Sequence, residues 1–346
     1  MKRSIPMGTL VATALFVAFQ VYMALRPPQT AEAVVPGEPA DATDATMDEA
    51  DEGPETAVVA ELSEPAPKAA STPAGRPRSG RALADLVVLI SVDGLRPDVI
   101  AGNARQIQRM HNQGSHAAKA RTISKASTLP SHASMVSGVD IERHGLGFNS
   151  YRPERGHIQY PTIFTAAQEA GLTTALFVGK RKLEHLLSPE SKSHFEVGGV
   201  YCNRVTRLAV PYIESADPGV VFVHFSDPDG AGHRYGWMSP QYMEAVRRAD
   251  RCVAELIAAV ETRDALERTL VLLTSDHGGH DHNHGSRLQS DREIPWILWG
   301  GPAQPQRRIG RTIYNTDTAA TILHALGLTL PPDIEGKAIV AGLRQD

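Results

Sequence analysis

Aspartate and histidine side chains recur at short spacing in the second half of the chain, where they suit metal binding. Asp229 and His233 stand four residues apart, and Asp276 is followed directly by His277. Carboxylate and imidazole donors together fit zinc and neighbouring first-row metals. A further carboxylate, Asp93, follows an apolar run. Such ionisable groups are costly to bury unless a metal or another partner compensates them, so they indicate a catalytic metal site.

Thr128 is the candidate nucleophile. It stands two residues before Pro130 and opens a segment of small residues. Because proline suits the first position of a helix, Thr128 is predicted at or beside a helix N-terminus, where free N–H groups and the helix dipole favour an anion. Its hydroxyl would there face a phosphoryl group. An ordinary N-cap threonine is the alternative when this segment is considered alone.

Short apolar runs alternate with helical segments after residue 84. Candidate strands are Leu86–Val92, Ala117–Ile123, Thr173–Val178, Val220–Phe225, Leu270–Thr274 and Ile294–Trp299, and candidate helices include Thr162–Ala170, Pro240–Val260 and Thr318–Leu326. Runs of β-branched residues without polar alternation indicate strands covered on both faces. The pattern predicts an α/β fold, a doubly wound, mostly parallel sheet with helices on both faces. In such sheets the chemistry lies beyond the carboxyl ends of the strands, which is where Asp93, Asp229 and Asp276 fall.

Three regions of different composition divide the chain. Residues 1–26 place two basic residues before an apolar run over Met7–Leu25, which is long enough for a membrane-spanning signal anchor with a cytoplasmic N-terminus. A signal peptide cleaved near Ala31–Ala33 is the alternative. Residues 27–83 contain nine prolines and no aromatic residue, which predicts a disordered Pro/Ala/acidic tether. Residues 84–346 would then form a catalytic domain outside the cytoplasm, periplasmic or extracellular, and secreted if the signal is cleaved.

The charge balance argues against nucleic-acid binding. The first 83 residues carry seven Lys/Arg and eleven Asp/Glu, which leaves 28 of each sign and no formal charge for the rest. No nucleic-acid binding surface is therefore expected, since backbone binding needs an excess of positive charge. Cys202 and Cys252 are too few for a disulfide scaffold or a cysteine-rich zinc module, and they leave open one disulfide. The oligomeric state does not follow from the sequence.

Together these residues resemble the alkaline phosphatase superfamily, and within it the type I phosphodiesterase/nucleotide pyrophosphatase group. The resemblance covers nearly all of residues 85–346 and implies a metal-dependent hydrolase of phosphoric esters that works through a phosphothreonine intermediate. It also implies two divalent metal ions, with zinc expected. One ion would be held by Asp229, His233 and His284, and the other by Asp93, Asp276, His277 and Thr128, while His280 and His282 compete with His284 for its role.

Residues that would contact the substrate follow from the same resemblance. Asn149 matches the asparagine that grips a phosphoryl oxygen, and the N–H of Leu129 is expected to stabilise the same charge. Lys180 and Lys182 follow the third strand and resemble the paired basic residues of phosphonoacetate hydrolases and some monoesterases. Two ammonium groups there would neutralise an extra anionic charge on the substrate. A solvated helical turn is the alternative for these lysines.

The chain departs from particular branches of the superfamily. Sulfatases carry Cys or Ser followed at two and four places by Pro and Arg, whereas this chain has Thr128, Pro130 and His132, which disfavours a formylglycine sulfatase. Nucleotide-cleaving relatives commonly carry aromatic residues where this chain has Leu129 and His224. The expected substrate is a small phosphorylated compound, a diester by the group resembled, with a monoester or a phosphonate as alternatives. A membrane-tethered head-group transferase is the alternative of another class.

Overall fold

A computed structural model describes residues 81–345. The strands are β1 (Leu86–Val92), β2 (Ser115–Ala117), β3 (Ala120–Arg121), β4 (Thr173–Val178), β5 (His194–Val197), β6 (Gly219–Phe225), β7 (Thr269–Thr274), β8 (Glu293–Ile294), β9 (Trp296–Gly300), β10 (Arg307–Ile309) and β11 (Ile313–Tyr314). The helices are α1 (Ile100–Asn103), α2 (Arg105–Gln113), α3 (Thr128–Ser137), α4 (Ile141–His144), α5 (Ile163–Glu169), α6 (Cys202–Ser215), α7 (Asp227–Tyr235), α8 (Pro240–Glu261), α9 (Gln289–Arg292) and α10 (Asp317–Ala325). Short 3₁₀ helices cover Pro97–Val99, Pro153–Arg155, Arg181–Leu186, Leu266–Arg268 and Val340–Gly342.

The larger of two sheets has the strand order β10-β2-β9-β7-β1-β6-β4-β5, and the smaller has the order β11-β3-β8. In the larger sheet β1 is parallel to both β6 and β7, and β4 is parallel to both β6 and β5. Among the strands described in this larger sheet, only β9 runs against its neighbours, β7 and β2. The predicted mostly parallel sheet is confirmed.

Alternate residues of β1 enter two separate hydrophobic cores. Val87 and Leu89 pack in one core with α3, α5 and α10. Val88 and Ile90 pack in the other with α2, α6 and α8. Each fully buried side chain of this size contributes about 1.5–3 kcal/mol relative to an exposed one. The sheet is therefore covered by helices on both faces, as the apolar strand pattern predicts.

Two of the predicted single strands are wrong, because the structure divides each of them. Ala117–Ile123 contains the end of β2 and all of β3, which pair in different sheets. Ile294–Trp299 is interrupted at Pro295, which separates β8 from β9. Proline has no N–H to donate to a strand ladder, so the chain leaves one sheet there and enters the other.

The predicted helices form α5, α8 and α10, each within one residue of its expected ends. Thr162 caps α5 by accepting from the N–H of Thr165, and the Ser239 side chain caps α8. The helix that follows β3 differs in one detail. Thr128 is its first residue, so Pro130 occupies the third helical position and not the first.

Contacts of the folded domain begin before residue 84. The Leu83 N–H donates to the carbonyl of Ala325, and the Arg268 side chain donates to the carbonyl of Ala82. The predicted segment 1–26 and nearly all of the predicted tether 27–83 lie outside the described residues. Among residues 81–345, no helix has the length and apolar character that a bilayer crossing requires.

The two cysteines form a disulfide that joins α6 to α8. Cys202 is the first residue of α6, and Cys252 lies in the middle of α8, 50 residues further along the chain. The disulfide that the sequence left open is therefore present.

Candidate active site

Adjacent strand ends of the larger sheet bring the three predicted carboxylates together. Asp93 directly follows β1, Asp229 lies in the first turn of α7 after β6, and Asp276 follows β7 by two residues. Since β6, β1 and β7 are neighbours and parallel, their carboxyl ends share one edge. Gly94 permits the close approach, because its φ is +70° and a Cβ there would lie 3.0 Å from the Cα of Asp229. A side chain at residue 94 would force these strand ends apart.

Asp93, Asp276 and His277 form the first group of metal-ligand type, and all three are fully buried. The Nε2 atom of His277 lies 3.2 Å from Oδ1 of Asp93 and 3.3 Å from Oδ2 of Asp276. The other ring nitrogen donates to the carbonyl of Gly278 at 2.8 Å, which leaves a lone pair on Nε2 of the neutral ring. None of these three facing atoms has a hydrogen-bond donor among the described residues. Buried acceptors turned toward one another fit a bound cation.

The second group consists of Asp229, His233 and His284. Oδ1 of Asp229 lies 3.4 Å from Nε2 of His233 and 3.8 Å from Nε2 of His284. Each imidazole donates from Nδ1 to a backbone carbonyl, that of His282 for His233 and that of Ala126 for His284. Both Nε2 lone pairs therefore face the carboxylate, in the orientation that backbone partners impose on histidine ligands.

The other two histidines of the same loop, His280 and His282, do not join the group around Asp229. Nδ1 of His280 is held by Oδ1 of Asp291 at 2.7 Å, and Nδ1 of His282 donates to the carbonyl of His233. Of the three histidines that the sequence leaves in competition, the structure brings His284 to Asp229.

The charges of this cluster favour a cation at its centre. Burial opposes ionisation of Asp93, but the Lys180 ammonium and the His224 hydrogen bond hold its pKa well below the usual aspartate value. Burial alone would lower the pKa of His277, yet the facing Asp276 and Asp93 carboxylates raise it to about 9. Burial and the neighbouring Asp93 raise the pKa of Asp276 to about 7. The carboxylates therefore stabilise positive charge at the position of the His277 ring.

Thr128 lies at the N-terminus of α3, fully buried, beside the first group. Its Oγ1 is 3.5 Å from Oδ2 of Asp93 and 3.5 Å from Nζ of Lys180. The Leu129 N–H donates to Oδ1 of Asn149 at 2.9 Å, so it orients this amide. This bond brings the Asn149 side chain to the backbone of the residue that follows Thr128. Contact of the Leu129 N–H with a substrate stays a prediction.

Lys180 joins the two groups. Its Nζ lies 3.0 Å from Oδ2 of Asp93 and 2.6 Å from Oδ2 of Asp229. The side chain is 13% exposed, so the solvated-turn alternative does not describe it. Lys182 is 5% exposed within the 3₁₀ helix Arg181–Leu186, which packs against α3. Contact of Lys182 with a substrate stays a prediction.

Sequence reasoning missed the hydrogen bond of His224 to the site. This residue is the last but one in a strand of apolar neighbours, is fully buried, and places Nε2 3.0 Å from Oδ2 of Asp93. It therefore lies beneath the carboxylates and does not line the surface of the site. The signal was present in the sequence, because a polar residue inside a continuous buried apolar strand requires a partner.

Trp237 is a second supporting residue that the sequence did not reveal. Its indole N–H donates to the carbonyl of Gly94 at 3.0 Å, and the centroids of its ring and the His233 ring lie 5.1 Å apart in an edge-to-face arrangement. A Cβ on Gly232 or on Gly279 would lie 2.6 Å or 2.2 Å from this indole. The two glycines therefore make the space that lets Trp237 pack under His233.

The fold and the paired Asp/His groups beside a buried threonine define an alkaline phosphatase-like site. A profile of the family described as type I phosphodiesterase/nucleotide pyrophosphatase matches residues 87–294. The chain belongs to this family.

Two individual relatives each share less than 30% sequence identity with this chain. Human ectonucleotide pyrophosphatase/phosphodiesterase family member 7 is 28% identical over 236 residues, which cover 59% of this chain and 50% of the human protein. A bovine bis(5′-adenosyl)-triphosphatase is 24% identical and covers 59% of this chain and 49% of its own length. The chain thus spans about half the length of these curated relatives. The structure of murine ectonucleotide pyrophosphatase/phosphodiesterase 5 in complex with AMP matches with a TM-score of 0.65 at 14% identity and covers 75% of this chain and 99% of the murine one.

Proposed function

We propose that the protein is a two-metal hydrolase of phosphoric esters with Thr128 as its nucleophile. The observation that carries this proposal is the convergence of two groups, each with three ligand atoms within 4.8 Å of one another, beside one buried threonine hydroxyl. Membership of the phosphodiesterase/nucleotide pyrophosphatase family supports the same reaction class.

The ligand chemistry favours zinc. One group would consist of Asp229, His233 and His284, and the other of Asp93, Asp276, His277 and Thr128. Mixed carboxylate and imidazole donors of this kind suit zinc better than the all-oxygen sets that magnesium and calcium prefer. When bound, the two ions would lower the pKa of the Thr128 hydroxyl and of a water molecule and would offset charge on the leaving oxygen.

The chain's own residues would carry out two displacements. Oγ1 of Thr128 gives up its proton and bonds to phosphorus, the bond from phosphorus to the leaving oxygen breaks with its electron pair, and the leaving oxygen takes up a proton. Water then adds its hydroxyl to phosphorus and returns a proton to Thr128 as the phosphothreonine is cleaved. The Asn149 amide nitrogen would donate to a non-bridging oxygen, where charge develops in both steps. Lys180 supplies a fixed positive charge 3.5 Å from the attacking oxygen.

The relatives and the site point to different substrate classes. The relatives are a phosphodiesterase and a bis(5′-adenosyl)-triphosphatase, and the murine structure holds AMP, which supports a diester or pyrophosphate substrate. Lys180 favours a second candidate, a phosphomonoester or phosphonate, since it adds a charge suited to a dianionic group. The buried position of His224 removes one platform on which a base would stack.

The nucleophile is tested by comparing Thr128→Ala with Thr128→Ser. We expect Thr128→Ala to lower kcat by at least about 10⁴-fold, because loss of a nucleophile removes the covalent route. Thr128→Ser retains a hydroxyl and should keep most of the activity, and both variants should bind two metal ions. Steady hydrolysis of an aryl phosphodiester by Thr128→Ala at the wild-type rate would refute the assignment.

Product analysis with an added alcohol acceptor separates the hydrolase from a head-group transferase.

We also propose that the domain works outside the cytoplasm, attached through residues 1–26. The Cys202–Cys252 disulfide supports an oxidising compartment, since such bonds rarely persist in a reducing cytosol. Thiol labelling in cells before lysis should leave both cysteines unmodified, and labelled cysteines would contradict the proposed location.

A further inference from the structure

His224 makes one hydrogen bond that bears directly on the first metal group. Its Nε2 lies 3.0 Å from Oδ2 of Asp93, and a carboxylate accepts only, so the proton of this bond is on Nε2. The Gly179 N–H is shared between Nδ1 of His224 at 3.2 Å and the His224 carbonyl at 3.1 Å. Both nitrogens of the buried ring thus have partners, and the ring is held at the end of β6.

This bond distinguishes the two oxygens of Asp93. Oδ2 receives the His224 proton and lies beside Lys180, whereas Oδ1 lies 3.2 Å from Nε2 of His277. Without the imidazole donor the carboxylate could rotate and turn Oδ1 away. Residues that hold ligands in this way typically change metal affinity by 10–100-fold when they are replaced.

We infer that His224 is a positioning residue that orients Asp93 for the metal ion bound with Asp276 and His277. This inference rests on the proposed two-metal function. Among residues 81–345, the hydrogen bonds of His224 involve neither the second group nor Thr128, so its effect should be confined to one of the two binding steps.

The test uses two substitutions of similar shape. His224→Gln keeps an N–H donor within reach of Asp93, and His224→Met removes it. Zinc binding is followed by titration of the metal-free protein against a competing chromophoric chelator, which reports both binding steps without any turnover. We expect His224→Met to weaken one step by about 10–100-fold and to leave the other within about threefold. His224→Gln should stay within about fivefold of wild type in both steps, since it rescues the donor.

His144 provides the matched control. It is equally buried, and both of its ring nitrogens are hydrogen-bonded, to Ser134 Oγ and to the Leu146 N–H. It belongs to neither metal group. His144→Met should lower thermal stability while leaving both zinc-binding steps unchanged.

The outcomes separate this inference from the proposed function. If wild type binds two zinc ions and His224→Met binds both as tightly, the role of His224 is refuted and the proposed function stands. Equal weakening of both steps, or a His224→Gln variant as weak as His224→Met, also refutes it. If wild type binds no divalent metal, the proposed function itself fails. Should His224→Met not fold, His224→Asn replaces it, because its shorter amide cannot reach Asp93.

Discussion

Lys180 adds one positive charge to a cluster that already contains three buried carboxylates. Two divalent ions would exceed the charge of Asp93, Asp229 and Asp276 by about one unit, which suits a monoanionic phosphodiester. With the ammonium included, the excess is about two units and suits a dianionic monoester or phosphonate. The side chain lies against one carboxylate of each metal group, where solvent screens it little.

Replacing Lys180 should therefore change substrate preference. We expect Lys180→Met to lower kcat/KM for an aryl phosphomonoester by about 10–100-fold, since a charge-assisted hydrogen bond contributes about 1.5–3 kcal/mol. The loss for the matching diester should be at least about tenfold smaller, because it carries one charge less. Lys180→Arg, which keeps the charge, should preserve the ratio of the two rates. Equal losses of kcat/KM on both substrates, with zinc content unchanged, would show that Lys180 does not discriminate between substrates by their charge.

Some residues of the site could be predicted from the sequence, and others could not. Asp93 directly follows a buried apolar strand and Asp276 comes two residues after another, so the strand-end rule places them together. The interaction of His224 with Asp93 spans 131 residues and depends on β1 lying beside β6. No local pattern encodes that neighbour relation. The bridging position of Lys180 also depends on two strand ends meeting.

At the scale of elements, α7 is held on one side while it presents ligands on the other. Asp227, its first residue, accepts from the N–H of Cys202 at 2.7 Å and from the Arg248 guanidinium at 2.6 Å. Asp229 and His233, two and six residues further along the same helix, belong to the second group of metal-ligand type. The disulfide joins the same two helices that supply these partners of Asp227. Cys202 begins α6, and Cys252 follows Arg248 by one turn of α8. The disulfide thus cross-links α6 and α8, the two helices that hold the start of α7.

Removing this disulfide should destabilise the domain. Closing a loop of 50 residues restricts the unfolded chain, for which the chain-entropy relation gives about 4 kcal/mol. We expect Cys252→Ser to lower the free energy of unfolding in urea by about 2–4 kcal/mol. Reducing agent should shift wild type to the same curve and leave Cys252→Ser unchanged. A wild-type curve that does not respond to complete reduction would contradict this contribution.

The local sequence pattern predicted the type of each element more reliably than it predicted which strands pair. The β-branched run of β1 and the capped start of α5 are local signals, and both elements form as predicted. The division of Ile294–Trp299 at Pro295 depends on which sheet each half joins. Pairing of that kind is tertiary, so propensity along the chain does not determine it.

At the scale of the whole molecule, the site assembles from segments spread over nearly two hundred residues. Asp93 comes at the start of this span and His284 at its end. The other residues of the site lie in α3, in α7 and in the loop that follows β7. Folding therefore brings together acceptors that repel one another. Oδ1 of Asp93, Oδ2 of Asp276 and Oδ1 of Asp229 are buried without a hydrogen-bond donor among the described residues. Metal binding would relieve this cost only in the folded protein, so it must stabilise the fold.

Chelation of the metals should accordingly lower the melting temperature. At free zinc concentrations about 100 times the dissociation constant, each site adds about 2.7 kcal/mol to the folded state. For a domain of this size, two sites correspond to a rise of roughly 10–20 °C, measured by calorimetry with and without zinc. Asp250 offers a matched control, since it is a buried carboxylate outside both groups that accepts from the backbone N–H groups of Gln106 and Ile107. Asp250→Asn should lower the melting temperature equally in both conditions, whereas Asp276→Asn should remove about half of the zinc-dependent rise. A melting temperature that zinc leaves unchanged in wild type would mean that these acceptors do not bind the metal.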